Sequence, residues 1–170
     1  MDLKSIYIKQ VKQKGLREKD IKQYNLEHLV HKISDSKYIL DKKKRNFKVV
    51  LTGGVFDALH IGHIKMLKEA KSYGDLLVVV LARSEFIKAK GRKPIHTLKE
   101  RVELVQSLRF VDIAIPGSKD RLDVLSYVQP DIVAFGYDQK IFLNKKDVEI
   151  VRLHKYKTFN TSNNFVKYVY

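Results

Sequence analysis

From residue 47 onward the chain alternates short apolar runs with longer amphipathic stretches, and few architectures accept that rhythm. Residues 47–52 (FKVVLT), 76–82 (LLVVVLA), 111–115 (VDIAI), 132–135 (IVAF) and 148–153 (VEIVRL) are strand-sized. Their near-continuous hydrophobicity predicts strands covered on both faces. Between them, residues 61–73, 97–109 and 121–128 and a stretch near 139–146 are expected to be helical. Ile64, Leu67 and Ala70, and then Leu98, Val102, Val105 and Leu108, recur at helical spacing. Thr97 with Glu100 three residues later is a capping-box pattern. Strands and helices alternating in this way predict a Rossmann-like α/β fold, a parallel sheet of about five strands wrapped by helices.

The first 46 residues have a different texture, polar and mostly helical in pattern. Leu16, Ile21, Leu26, Leu29, Val30 and Ile33 predict two short helices broken near Tyr24 and Asn25, followed by an extended segment over residues 38–40. That order resembles a reduced helix-turn-helix; the simpler reading is a basic helical extension packed on the main domain, or an oligomerisation arm. The basic run 42–45 reads as a linker, dividing an extension (1–46) from a main domain (47–170).

The chain carries 34 Lys and Arg against 19 Asp and Glu, a net charge of +15. Residues 1–47 hold 13 of the basic and six of the acidic residues, so the excess is densest there. This balance favours anionic partners, nucleic acid or phosphorylated small molecules, although a lysine-rich protein is also basic without them. With 44% hydrophobic residues the chain can bury a core, and with no cysteine it has neither disulfides nor thiolate metal sites. No apolar run approaches the roughly 18–20 residues that span a bilayer. The N-terminal residues also lack the apolar core of a secretory leader, so a cytoplasmic protein without a membrane partner is expected.

The most informative stretch is residues 52–63, TGGVFDALHIGH, where the first main-domain strand ends and a helix begins. Open α/β sheets place their ligands at that end of the strands. Gly53 and Gly54 allow backbone to approach a phosphate closely, and His60 and His63 stand on one side of the helix start, beside its free amides. Two imidazoles, amide donors and a positive dipole end make a cradle for a polyphosphate. Half a metal site is the competing reading of the histidine pair, but no third ligand is evident nearby.

This stretch resembles the G-T/V-F-D-x-x-H-x-G-H signature of the HxGH nucleotidyltransferase superfamily, in its cytidylyltransferase-like branch. Residues 88–112, KAKGRKPIHTLKERVELVQSLRFVD, resemble the second family region, a basic loop before a helix ending in Arg-x-Val-Asp. The turn at 136–139, GYDQ, resembles that of archaeal FAD synthases and their relatives. The likeness spans about residues 47–165. Two departures stand out: Val55 replaces a frequent threonine, and the family's C-terminal Ser/Thr-rich helix start appears only as residues 160–163, NTSN.

The resemblance implies an enzyme that moves NMP from an NTP to a small phosphorylated acceptor, releasing pyrophosphate, with Mg²⁺ accompanying the triphosphate. An attacking phosphate is already anionic, so positioning and charge neutralisation carry the catalysis. His60, His63 and Lys90 are the expected catalytic residues. Gly54, Val55, Phe56, Asp57, Ile61, Gly62, Asp138 and Thr161 join the histidines in nucleotide binding, Asp138 facing a ribose. Lys88, Arg92, Lys93, Arg101 and Arg109 are the expected phosphate or substrate contacts. Asp57 is as well suited to orienting its loop through backbone N–H bonds, Arg101 to pairing with Glu103, and Asp112 to a structural ion pair with Arg109. His28, His31 and His154 read as surface residues, and His96, in the basic loop, as one worth testing. ATP with FMN is the favoured substrate pair; CTP with glycerol 3-phosphate or another phosphoalcohol is the alternative. A nucleotide-sensing regulator that binds DNA through residues 1–46 is an alternative of another class. Family members commonly pair as homodimers, and Phe86 and Phe110 are the candidate exposed anchors, unless they complete the monomer's core.

Overall fold

The computed structural model describes residues 2–88, 91, 93–144 and 148–156, so Lys90, Arg92 and Thr161 lie outside the described residues. Helix α1 (Leu3–Gln13) is capped by Asp2, whose carboxylate accepts the Ser5 amide, and it stops at Lys14 in the left-handed region. Helix α2 (Glu18–Tyr24) ends the same way at Asn25, with φ at 51°. The break at Tyr24 and Asn25 is therefore where the sequence places it. No helix follows it: β1 (Val30–Ser34) and β2 (Lys37–Leu40) form an antiparallel hairpin. Val30 and Ile33 are β-branched and weak helix formers, and a partner strand within reach decides the matter.

The expected linker is a short 3₁₀ turn over Lys42–Lys44, and it is strapped down. Lys42 donates to the Pro130 carbonyl, Lys44 to the His28 carbonyl, and Arg45 to the Gln129 carbonyl and Asp131. The guanidinium of Arg45 also lies over the rings of Tyr7 and Phe47.

The five apolar runs become β3 (Val49–Gly54), β4 (Leu76–Leu81), β5 (Ile113–Pro116), β6 (Ile132–Phe135) and β7 (Glu149–Arg152). They form one parallel sheet in the order β5-β4-β3-β6-β7. Helices α3 (Ile61–Ser72), α4 (Ser84–Lys88), α5 (Leu98–Gln106) and α6 (Arg121–Val128) connect them. The capping box at Thr97 and Glu100 is present at the start of α5. Helix α4 is only five residues long, too short to register as a periodicity, and the described residues of 139–144 form no helix.

Alternate strand residues send side chains to opposite faces, which makes two cores. Val50, Leu77, Val79, Ala114, Ile132 and Ala134 pack beneath α3 and α5. The other face, Val49, Leu51, Val78, Ile113, Val133 and Phe135, meets Val124, Tyr127 and Val128 of α6. It also meets Ile6, Tyr7, Val11, Leu16, Ile21, Leu26, Ile39 and Leu40 from the first 46 residues. The N-terminal segment thus roofs part of the sheet. Two of its buried polar side chains, Tyr7 and Gln10, bond across that contact. The Tyr7 hydroxyl donates to the Val128 carbonyl at 2.5 Å, and Gln10 donates to the Tyr127 carbonyl while accepting the Leu40 amide. Phe110 is partly buried against the α3–α5 core, with Lys68 over its ring, whereas Phe86 is 39% exposed. No helix among the described residues is long and apolar enough to cross a membrane.

Candidate active site

The chain runs outward from β3 to β4 and β5, then returns to the other side of β3 with β6. The crevice at the carboxyl ends of β3 and β6 is therefore the sheet's topological switch point, where ligands of such sheets bind. The turn after β3 lines it. Within that turn Phe56 is 2% exposed and has φ at 50°, a strained value for a bulky side chain. Its ring lies so close beneath Gly54 that a Cβ there would fall 2.8 Å from two ring carbons. The ring also meets His63 edge-on, with centroids 5.2 Å apart.

His60 is the N-cap of α3: its Nδ1 accepts the Gly62 amide at 3.1 Å, so the neutral ring carries its proton on Nε2. The rings of His60 and His63 stack with centroids 3.8 Å apart. Burial, with the proximity of His60 adding to it, pushes the His63 pKa down to about 4, and burial lowers that of His60 as well. The Nδ1 of His63 is buried without a well-formed hydrogen bond, although the Ala58 carbonyl lies where it favours a proton on the ring. Both imidazoles are therefore neutral near pH 7. Ile61 beside them is exposed, and Gly62 is buried.

Asp57 accepts the amides of Ile95 and His96, and its carbonyl receives His96 Nδ1 at 2.7 Å. It ties the end of the basic loop to the turn after β3, the orienting role that its position allows. Arg101 completes this knot. It is wholly buried, with Nη1 donating at 2.8 Å to the carbonyls of both Val55 and Ala82, Nη2 to Ser84 Oγ, and Nε to the His96 carbonyl. The side chain expected at a phosphate or beside Glu103 is instead spent on holding backbone, because three carbonyls converge on a site closed to water. Lys88 and Lys93 are exposed at the two ends of the basic loop.

Arg109 is also exposed, and its expected partner turns elsewhere. Asp112 binds Lys71 Nζ and the Leu77 amide, each at 2.6 Å, pinning α3 to β4. Across the crevice, the turn after β6 is locked by two residues that the sequence did not single out. Gln139 accepts the Gly136 amide and donates to the Gly53 carbonyl at 2.8 Å. Arg152, at the end of β7, donates to the carbonyls of Gly136, Tyr137 and Gln139. The only prior sign of Gln139 was its place in GYDQ; for Arg152 it was a lone cation ending an apolar run. Tyr137 and Asp138 stand exposed on this rigid turn. His154 is exposed too, but it is held by Glu69 at 2.5 Å.

A strand, a glycine turn, paired neutral imidazoles at a helix start and a locked turn opposite make a crevice whose chemistry suits a phosphate. Comparison with known proteins agrees. The family model described as cytidylyltransferase-like matches residues 51–167. The FAD synthase of Thermococcus sibiricus is 40% identical over 129 residues, spanning 68% of this chain and 86% of that protein. The FAD synthase of Thermoplasma volcanium is 44% identical over 117 residues, spanning 63% of this chain and 82% of that protein. The crystal structure of the lipopolysaccharide core biosynthesis protein from Thermoplasma volcanium superposes with a TM-score of 0.61 at 40% identity, covering 66% of this chain and all of that one. With the motif, the crevice and these relatives in agreement, the chain belongs to the cytidylyltransferase-like family of nucleotidyltransferases.

Proposed function

We propose that this protein is an FMN adenylyltransferase: the phosphate of FMN attacks the α-phosphorus of ATP, FAD forms and pyrophosphate leaves. The observation that carries the reading is the phosphate crevice of β3 and α3 in a chain about 40% identical to FAD synthases. One bond forms, from an FMN phosphate oxygen to the α-phosphorus, and the α–β bridging bond breaks. No proton need be removed from the nucleophile. Nucleotidyltransferases of this kind work with a divalent cation, here read as Mg²⁺, which neutralises triphosphate charge when bound. A hard cation of this type keeps most of its waters and takes phosphate oxygens, which suits a crevice with neutral histidines on one side and the exposed carboxylate of Asp138 on the other.

The chain's own residues position and neutralise. His60 offers Nε2–H, and the Gly62 region offers the amide end of α3. An arriving polyphosphate favours protonated imidazoles, so both rings gain donor strength as the nucleotide docks. Asp138 accepts ribose hydroxyls, and Lys88 and Lys93 neutralise phosphate charge; Lys90 and Arg92, outside the described residues, are assigned to the same task from the sequence alone. Arg101 and Asp57 act one step back, by holding the turn and the loop. The test is direct: purified protein with MgCl₂, each NTP and each of FMN and glycerol 3-phosphate, with FAD and pyrophosphate measured. FAD formed only from ATP and FMN is the expected result; turnover of CTP with glycerol 3-phosphate overturns it.

A further inference from the structure

Six histidines occur in the chain, and four lie outside the pair at the start of α3. His28, His31 and His154 are exposed, and His154 is occupied by Glu69. His96 differs. It is half-buried, it stands immediately before the Thr97 cap of α5, and its backbone is tied on both sides. Its amide donates to Asp57 Oδ1 at 3.0 Å, and its carbonyl accepts Arg101 Nε at 3.4 Å. The ring is fixed as well. Nδ1 lies 2.7 Å from the Asp57 carbonyl oxygen, which can only accept, so Nδ1 carries a proton.

That bond decides the tautomer. In the neutral ring Nε2 holds a lone pair, the reverse of His60, whose Nδ1 accepts and whose Nε2 donates. Nε2 of His96 has no hydrogen-bond partner among the described residues, and it is not closed off from solvent. A strut would need Nδ1 alone. Here a titratable nitrogen is left open at a fixed place on the turn after β3. The charged groups around it are Asp57, Lys93 three residues earlier in the loop, and Glu100 on the first turn of α5, near enough to feel the ring's charge; Arg101 faces its carbonyl. A phosphate that still carries one proton supplies what this nitrogen lacks. The O–H bond breaks, the N–H bond forms, and imidazolium and phosphate dianion stay joined by a charge-assisted hydrogen bond. A neutral hydroxyl would make a bond only about half as strong.

We propose that His96 Nε2 binds a phosphate group of the substrates, taking up one proton as the phosphate arrives and releasing it when the product leaves. This rests on the adenylyltransferase reading and adds a phosphate-binding residue to it. The phosphate belongs to FMN or to ATP, and kinetics tell the two apart.

Two amide substitutions divide the functions of the ring. His96→Asn puts an amide N–H where Nδ1 stands and leaves nothing at Nε2; His96→Gln reaches the Nε2 position and gives up the bond to the Asp57 carbonyl. FAD formation by the full chain is measured, with KM and kcat for FMN and for ATP separately, alongside thermal midpoints. His96→Asn is expected to keep the wild-type midpoint and to raise the KM of one substrate about tenfold. His96→Gln is expected to lower the midpoint and to stay within about threefold of the wild-type KM. A raised KM for FMN assigns the contact to the acceptor phosphate; a raised KM for ATP assigns it to the triphosphate. Unchanged KM values for both substrates in His96→Asn, or the same loss in both variants, overturn the assignment while wild-type FAD synthesis stands. Wild-type protein that forms no FAD overturns the adenylyltransferase reading instead. Calorimetric titration of FMN and of ATP, which needs no turnover, then reads the contact by itself: about tenfold weaker binding of either in His96→Asn supports it, and equal binding of both overturns it.

Discussion

His63 shows how a single residue carries both the chemistry and its cost. Its ring is stacked on His60, edged by Phe56 and partly withdrawn from water, so its folded pKa of about 4 lies below the ordinary 6.5. A histidine depressed in this way is neutral in both states above pH 6.5 and costs nothing there. As pH falls from 6.5 towards 4 the unfolded chain takes the proton first, so stability drops across that window. Thermal midpoints measured from pH 7.5 to 4.5 should fall in the wild type and flatten in His63→Asn. The same variant removes the proposed phosphate donor, and the rate of FAD formation should fall about 10²–10³-fold. Gly54→Ala belongs beside it. The added methyl meets the Phe56 ring at 2.8 Å, and Phe56 already sits at φ 50°, so the turn must shift. Nucleotide affinity measured by calorimetry should drop more than tenfold, with little change in the far-ultraviolet circular dichroism.

At the scale of elements, the site is assembled by buried hydrogen bonds that cross the fold. Arg101 on α5 holds the β3 turn, the end of β4 and the end of the basic loop at once. Lysine cannot replace that fork, since an ammonium is a point charge on a flexible stem. Arg101→Lys and Arg101→Met should both lower kcat at least tenfold, and Met should lower the thermal midpoint as well by leaving carbonyls unpaired. An unchanged kcat in both would remove Arg101 from the list of positioning residues. Gln10 plays the matching part for the N-terminal segment. Replacing it with Ala strands the Leu40 amide and the Tyr127 carbonyl, and urea unfolding should register a loss of about 2 kcal/mol.

For the whole molecule, the first 46 residues matter because the parallel sheet has two apolar faces and α6 does not cover the second alone. The family match begins at residue 51, so this roof lies outside the matched segment. A fragment beginning at residue 46 should expose Leu51, Val78, Ile113 and Val133, bind a hydrophobic dye, and lose cooperative thermal unfolding. A cooperative, dye-free fragment would show that the roof is dispensable. The basic charge of the segment is partly engaged too, with Lys42, Lys44 and Arg45 donating to carbonyls.

The strands, most of the helices and the glycine–histidine turn were legible in the amino-acid sequence because their signals are local. A run such as LLVVVLA needs only its own residues to demand burial, and Thr97 needs only Glu100 to begin a helix. What the tertiary structure alone decided depends on distance along the chain. Arg101 meets Val55 across 46 residues, Gln139 meets Gly53 across 86, and Tyr7 meets Val128 across 121. No local pattern distinguishes an arginine that will bind phosphate from one that will hold three carbonyls, since both begin as a cation on an amphipathic helix. The hairpin at residues 30–40 has the same cause: Val30 and Lys32 become strand because Leu40 and Tyr38 lie opposite, not because their own neighbours forbid helix. Local periodicity decides which elements form; only packing decides which polar groups are left to face the substrate.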